Sequence, residues 1–367
     1  MRKLALCGAI LVGGLNASAH AQSDMEKIPE LKFDSQIIVS NANMPTNLAL
    51  GEVAGVSVDS RGNIYVYSRT GGVGDIGTRR SAQLFEFGPD GKFMREIGAQ
   101  NNYIMGWAHS VRIDADDNIW IVDDGTSLLG KFDQDGRILM ALGRRRETVQ
   151  PLSMKMTENG NITESSIPVP TGDGFFAGPT DIAFDSKGNL YVSDGYKNSN
   201  VQKFSKDGEF IMRWGTKGSG PGQFNLPHGI SVDAKDNVYV ADRGNNRIQV
   251  FDSNGKYLRE TKLDLRYPKN AHVKTPHFGN AAEGYSSMWP QAVCVTKGPN
   301  PVIYANDQQP AVVVKLSLDG KVLGRFGSEG KKKGEFGWMH MLACGKGDNE
   351  VYLSEMINFR VQKVTVH

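Results

Sequence analysis

One phrase occurs six times along the chain, most copies close on a tight-turn dipeptide, and the copies account for nearly all of residues 22–367. Together these observations predict an all-β chain folded as a single six-bladed β-propeller with four-stranded antiparallel blades. The phrase is a short apolar strand ending in Asp, a turn with Gly or Asp before Asn, a second strand of the type Tyr-Val-x-Asp, and a third strand rich in Gln, Lys and Phe. It is clearest over residues 229–233, 237–242 and 247–251, and recurs from Gly55, Ser110 and Asp181, with weaker copies from Ala292 and Met341. Asp90-Gly91, Asp207-Gly208 and Asp319-Gly320 supply the positive φ that a hairpin into a fourth strand needs. The last copy stops after its third strand at residues 361–364, so residues 35–39 are expected to pair there, closing the ring and hiding two sheet edges.

Ahead of the repeats, Met1-Arg2-Lys3 is basic, residues 4–15 are largely apolar, and Ala19-His20-Ala21 is a small-x-small pattern. This reads as a signal peptide cut after Ala21, since about a dozen interrupted apolar residues fall short of the ~20 a membrane span takes. The mature domain, residues 22–367, is then expected to be exported, periplasmic or secreted, and free of the membrane. A formal charge of +2 from 42 basic and 40 acidic residues, evenly mixed, gives no field that would gather nucleic acid or acidic lipid. Arg144-Arg145-Arg146 and Lys331-Lys332-Lys333 are short and read as solvated loops. Past the leader only Cys294 and Cys344 are left, room for one bridge but not for a disulfide scaffold. Residues 144–178 and 262–288 exceed what a blade needs and read as long connections over one face, where function concentrates.

Alignment of the six copies at the start of their first strand places Ala54, His109, Thr180, His228, Gln291 and His340 in one column. A lone histidine at a strand start is ordinarily satisfied by backbone carbonyls. Three of the seven histidines at one repeat position, on the second, fourth and sixth blades, are a different matter. First strands line a propeller's pore, so alternate blades aim three imidazoles at the axis from directions about 120° apart. Three neutral nitrogen donors with a position left open suit catalytic zinc. His272, His277 and His367 fall outside the column and read as loop or terminal residues. A second column, just past the second strand, holds Arg69, Asp124, Gly195, Arg243, Gln308 and Met356, with Tyr196 next to it in Asp194-Gly195-Tyr196. Two guanidiniums and a phenol beside a metal suit a small anionic or peptide-like substrate.

The repeats resemble the NHL type. Trp107-Ala108-His109, Leu226-Pro227-His228-Gly229, Trp338-Met339-His340, Asp194-Gly195-Tyr196 with Asn198-Ser199, and Ala241-Asp242-Arg243 with Arg247-Ile248-Gln249 resemble peptidyl-α-hydroxyglycine α-amidating lyase across all six blades. The resemblance implies that His109, His228 and His340 bind zinc, that Tyr196 is the proton-transfer residue, a role that a pKa lowered by the metal and the arginines would serve, and that Arg69 and Arg243 hold substrate, one or the other anchoring its carboxylate. The implied reaction splits a carbinolamide to an amide and glyoxylate. The family's acidic calcium residue after the third histidine is Met341 here, which leaves calcium open, and its cysteine after the tyrosine is Lys197. Two other readings stay open: a metal-dependent hydrolase of the lactonase or esterase type, and a non-catalytic NHL scaffold that binds protein or glycan.

Overall fold

The computed structural model describes residues 23–70, 82–99, 103–144, 155–156, 162–163, 172–267, 288–308 and 310–367. They form six four-stranded antiparallel sheets. The first strands of blades 1 to 6 are Glu52–Val58, Ala108–Ile113, Pro179–Phe184, Pro227–Val232, Pro290–Val295 and Met339–Cys344. Each packs against the first strand of the next blade, and that of blade 6 returns to that of blade 1, so the ring is complete. Closure follows the expectation: Phe33–Val39 pairs antiparallel with Arg360–Val366 as the outer strand of blade 6, with Ser35 opposite Val364.

Sequence explains the repeat turn. Asp233 Oδ1 accepts from the backbone N–H of Lys235 at 2.8 Å and of Asn237 at 2.9 Å, while its Oδ2 accepts from the Asn237 amide at 2.9 Å and the Tyr239 hydroxyl at 3.0 Å. One carboxylate therefore satisfies the turn and ties it to the second strand. Asp59, Asp114 and Asp185 do the same in blades 1 to 3, with Trp120 Nε1 replacing the tyrosine hydroxyl in blade 2. Blade 5 lacks that aspartate. Asp348 of blade 6 serves instead, accepting from Thr296 Oγ1 at 2.6 Å and from Gly298 N–H at 2.9 Å, which is why the fifth copy of the phrase is faint.

The core is divided into six wedges, one between each pair of adjacent blades. Tyr65, Tyr67, Leu84 and Ile97 of blade 1 meet Val111, Ile119, Ile121 and Phe132 of blade 2, and Val39, Tyr352 and Val361 of blade 6 meet Val53, Val56, Ile64 and Phe85 of blade 1. Both faces of the inner strands are thus covered, which accounts for apolar runs where a one-faced sheet would alternate. Cys294 and Cys344 form a disulfide between the first strands of blades 5 and 6, with Cα atoms 5.9 Å apart and 50 residues of separation. A loop of that length corresponds to about 4 kcal/mol of chain-entropy stabilisation.

The proposed leader, residues 1–21, lies outside the described residues, as do most of the two long connections, His272 and His277 among them. Within 144–178 the backbone forms a short antiparallel pair, Lys155–Met156 with Ile162–Thr163. Lys331-Lys332-Lys333 is an exposed turn, as a solvated loop should be, and His367 is a terminal residue whose Nε2 lies 2.9 Å from Asp34. Among the described residues no helix is long and apolar enough to cross a membrane.

Candidate metal centre

In every blade the ladder between first and second strands slips at the column residue. The register shifts at Ala54, His109, Thr180, His228, Gln291 and His340, all six being bulged positions. A bulge takes a residue out of ladder pairing and re-aims its side chain. Here it turns the three imidazoles to the axis. His109 and His228 are fully buried and His340 is 3% exposed, with ring centroids 4.8, 4.7 and 5.3 Å apart.

The bulges also free backbone carbonyls, and each histidine uses one from the following blade. His109 Nδ1–H donates to Thr180 O at 2.5 Å, His228 to Gln291 O at 2.8 Å and His340 to Ala54 O at 2.7 Å. A donated Nδ1–H leaves the Nε2 lone pair free for the axis, the arrangement found around metal-bound imidazoles. Burial is the main force holding all three rings neutral, reinforced by one another and by Arg69 and Arg243, with His340 pushed down to about 3. One ligand nitrogen from each residue falls within 4.8 Å of the other two. The centre of a triangle with that edge is about 2.8 Å from each corner, so shifts of about 0.7 Å reach the 2.0–2.1 Å of a zinc–nitrogen bond. Donor type, tautomer and spacing fit zinc.

Calcium does not fit. Where an acidic ligand is expected, Met341 presents a thioether, and the Arg112 guanidinium lies 3.9 Å from its sulfur. Arg112 donates to the carbonyls of Val56 at 3.2 Å and Val111 at 3.4 Å, and pairs with fully buried Asp181 at 2.7 Å. The Arg112 guanidinium thus already takes up the oxygens that a calcium ion at that position would need.

All six expected site residues come together. Tyr196 projects over the ring from blade 3, its hydroxyl 2.9 Å from His109 Nε2 and 3.3 Å from His228 Nε2. The residue as a whole is 38% exposed, while its hydroxyl faces the buried imidazoles. The protein's own groups hold the phenol above its usual pKa, desolvation outweighing Arg243 and Arg69, so any lowering has to come from a bound metal. Arg69 stacks over Trp107 at 4.5 Å, donates to Ala108 O at 2.8 Å and pairs with Glu52 at 3.3 Å. Arg243 lies 5.7 Å over Trp289 and donates to Gln308 Oε1 at 2.8 Å, with its buried Nε left without a partner among the described residues.

Sequence reasoning missed what positions this ring. In blades 2 to 6 the acid at the end of the second strand is buried and accepts from the loop that leads into the first. Asp123 takes Gly106 and Trp107 N–H at 2.8 Å, Asp242 takes Asn225 N–H at 2.7 Å, and Glu355 takes Gly337 N–H at 2.8 Å. Arg247 and Arg360 hold two of these carboxylates at 2.8 and 2.7 Å. The signal was the recurring acid followed five residues later by arginine. The loops are strained as well: Leu226 and Trp338, two residues ahead of His228 and His340, have φ of 61° and 46°.

The chain is similar in sequence and in fold to several known proteins. A family model described as a 6-bladed beta-propeller matches residues 164–278. A peptidylglycine alpha-amidating monooxygenase of Rattus norvegicus is 31% identical over 235 residues, 58% of this chain and 22% of that protein. Peptidyl-alpha-hydroxyglycine alpha-amidating lyase 1 of Drosophila melanogaster is 27% identical over 202 residues, 50% of this chain and 33% of that protein. Over these stretches the chain is similar in sequence to peptide-amidating proteins. The match spans about a fifth to a third of the length of these relatives. Among solved structures, virginiamycin B lyase from Staphylococcus aureus shares the fold with a TM-score of 0.53 at 15% identity, covering 92% of this chain and all of that one.

Proposed function

We propose that the protein is a zinc-dependent lyase that cleaves the C–N bond of a carbinolamide, N-acyl-α-hydroxyglycine or a close analogue, to an amide and glyoxylate. The observation that carries this reading is the convergence of three neutral imidazoles, Nε2 inward, with the Tyr196 hydroxyl at 2.9 and 3.3 Å from two of them. The similarity to proteins with amidating names supports it. A zinc ion held by His109, His228 and His340 would supply Lewis acidity that makes the substrate hydroxyl a stronger acid.

The chain's own groups do the rest. Arg243, bonded to a neutral glutamine, has capacity for a carboxylate, whereas Arg69 already pairs with Glu52 and braces the strand of His109. Tyr196, its hydroxyl against two of the three imidazoles, is placed to serve as a relay. Its O–H proton passes to the departing amide nitrogen as it receives the proton of the substrate hydroxyl. The C–N bond breaks with its electron pair going to nitrogen, the carbon–oxygen bond becomes a carbonyl, and atoms and charge balance. Burial of the ring excludes water that would compete for the site. The disulfide Cys294–Cys344 suits an exported protein, periplasmic or secreted, without a membrane or nucleic-acid partner.

Metal analysis and a glyoxylate assay test the proposal together. The wild-type protein is expected to hold about one zinc per chain, through one set of donors, and to release glyoxylate from N-benzoyl-α-hydroxyglycine. His228→Ala, purified in parallel, loses both. A zinc-loaded wild type that releases no glyoxylate removes the lyase and favours a hydrolase on the same ring. A wild type that takes up no zinc removes both enzymes.

A further inference from the structure

We infer that Gln291 is the specificity-determining residue of this site, reading the N–H of the substrate's amide and so selecting carbinolamides over oxygen analogues. The inference rests on the lyase reading above and adds a residue that neither the histidine column nor the relatives' names assign.

Gln291 occupies the corner of the ring between His228 and His340, on the first strand of blade 5, and is 1% exposed. Its backbone carbonyl is spent on His228 Nδ1, but its side chain is not. The amide nitrogen donates to His228 Nε2 at 3.0 Å, and Oε1 has no partner among the described residues. The other two odd-numbered corners offer the axis no polar atom. Ala54 has none, and Thr180 Oγ1 is turned into the blade, within 2.8 Å of Ser193 Oγ and of His228 O. Gln291 is thus the single odd corner among the three that presents hydrogen-bonding capacity to the centre.

The existing bond cannot survive a loaded site, because the His228 Nε2 lone pair serves either an ion or the Gln291 N–H. Once that lone pair is taken, a buried primary amide has an idle donor as well as an idle acceptor. Leaving such groups unpaired is costly. A substrate N–H satisfies Oε1, and an oxygen on another part of the same ligand takes the amide nitrogen's donor, because the N–H and C=O of one trans secondary amide point in opposite directions. An ester or lactone brings no N–H and leaves Oε1 as it is. Arg243, from blade 4 and bonded to Gln308 of blade 5, stands on the same side of the ring with its Nε unpaired. The two residues together describe a ligand with a carboxylate next to an amide.

The test uses two stable probes with the zinc-loaded protein. Hippurate carries the N–H, and 3-benzoylpropionate has a methylene in its place. By calorimetry the wild type binds hippurate about tenfold more tightly, as expected when a buried acceptor gains its donor. Gln291→Met, close in length without hydrogen-bonding atoms, loses that preference while its zinc content stays at the wild-type level. Gln291→Glu retains an acceptor, so the preference persists even as both affinities fall, and this variant decides the matter should the methionine variant not fold. A preference unchanged in Gln291→Met, or abolished in Gln291→Glu, overturns the inference and leaves the lyase reading intact. Failure of both probes to bind the wild type overturns the reading of the site and the inference with it.

Discussion

Blades 2, 4 and 6 share a backbone with blades 1, 3 and 5, down to the bulge at the column residue, yet they use it in opposite ways. Even blades spend the bulge on a side chain, an imidazole aimed at the axis. Odd blades spend it on a main-chain carbonyl, from Thr180, Gln291 and Ala54, that accepts the Nδ1–H of the preceding blade's histidine. The metal centre is therefore built from six repeats, three as ligands and three as the groups that orient them. Side-chain identity matters at the even corners. At the odd corners only backbone position matters, except at Gln291.

The difference can be broken at several places, with effects of decreasing size. Tyr196, which reaches from an odd blade to the histidines of two even ones, should be indispensable to turnover and not to the metal. Tyr196→Phe is expected to lower kcat by about 10²–10⁴-fold, the usual worth of a proton-transfer group, with zinc content unchanged. Loss of zinc in that variant would mean that the phenol holds the ring together instead.

Glu355→Leu removes the buried partner of Arg360 and frees the Gly337 loop ahead of His340. An uncompensated buried charge costs about 3–5 kcal/mol. Denaturant unfolding should show that loss, accompanied by weaker zinc binding. A variant with normal zinc affinity would separate the carboxylate's structural part from its positioning part.

The even corners also predict how the metal-free protein responds to acid. Each imidazole has a folded pKa below its unfolded value of about 6.5, so the unfolded chain binds more protons between those limits. Stability is then fully present above pH ~6.5 and is lost as pH falls, by up to about 4 kcal/mol per unit while all three sites titrate together. Thermal midpoints of the zinc-free protein should drop on going from pH 7 to pH 5, and less steeply in His228→Gln. Equal slopes would place the acid sensitivity elsewhere.

The smallest effect is expected at an odd corner. Ala54→Gly keeps the carbonyl that receives His340 Nδ1–H, and zinc affinity should change by less than about threefold, under 1 kcal/mol. A larger loss, read by competition with a chromogenic chelator, would show that the Cβ at Ala54 also sets the geometry.

Most of the fold was legible because blade chemistry is local. Asp233, Asn237 and Tyr239 lie within seven residues of one another and form their turn almost unaided, and Asp-Gly hairpins need only a positive φ. The closing strand was legible because a three-stranded last repeat leaves an unpaired edge. His109, His228 and His340 were legible because a repeat converts sequence position into angle about an axis. Asp123, Asp242 and Glu355 were visible as letters of the phrase but not as anchors, since the N–H groups they accept from lie 16 to 18 residues upstream.

What the sequence by itself determined is the blade, the number of blades and which residues share a level of the pore, all consequences of short-range hydrogen bonding and of repetition. Tertiary structure alone decided the rest. Bulges depend on how a strand meets its neighbour, and the Nδ1 acceptors come from blades 63 to 286 residues away. The arginine beneath the ring owes its place to contacts with other blades. So does the direction of the Tyr196 shift, in which loss of water around the hydroxyl outweighs two nearby positive charges. Desolvation is a property of the closed ring, and no segment of the chain carries it alone.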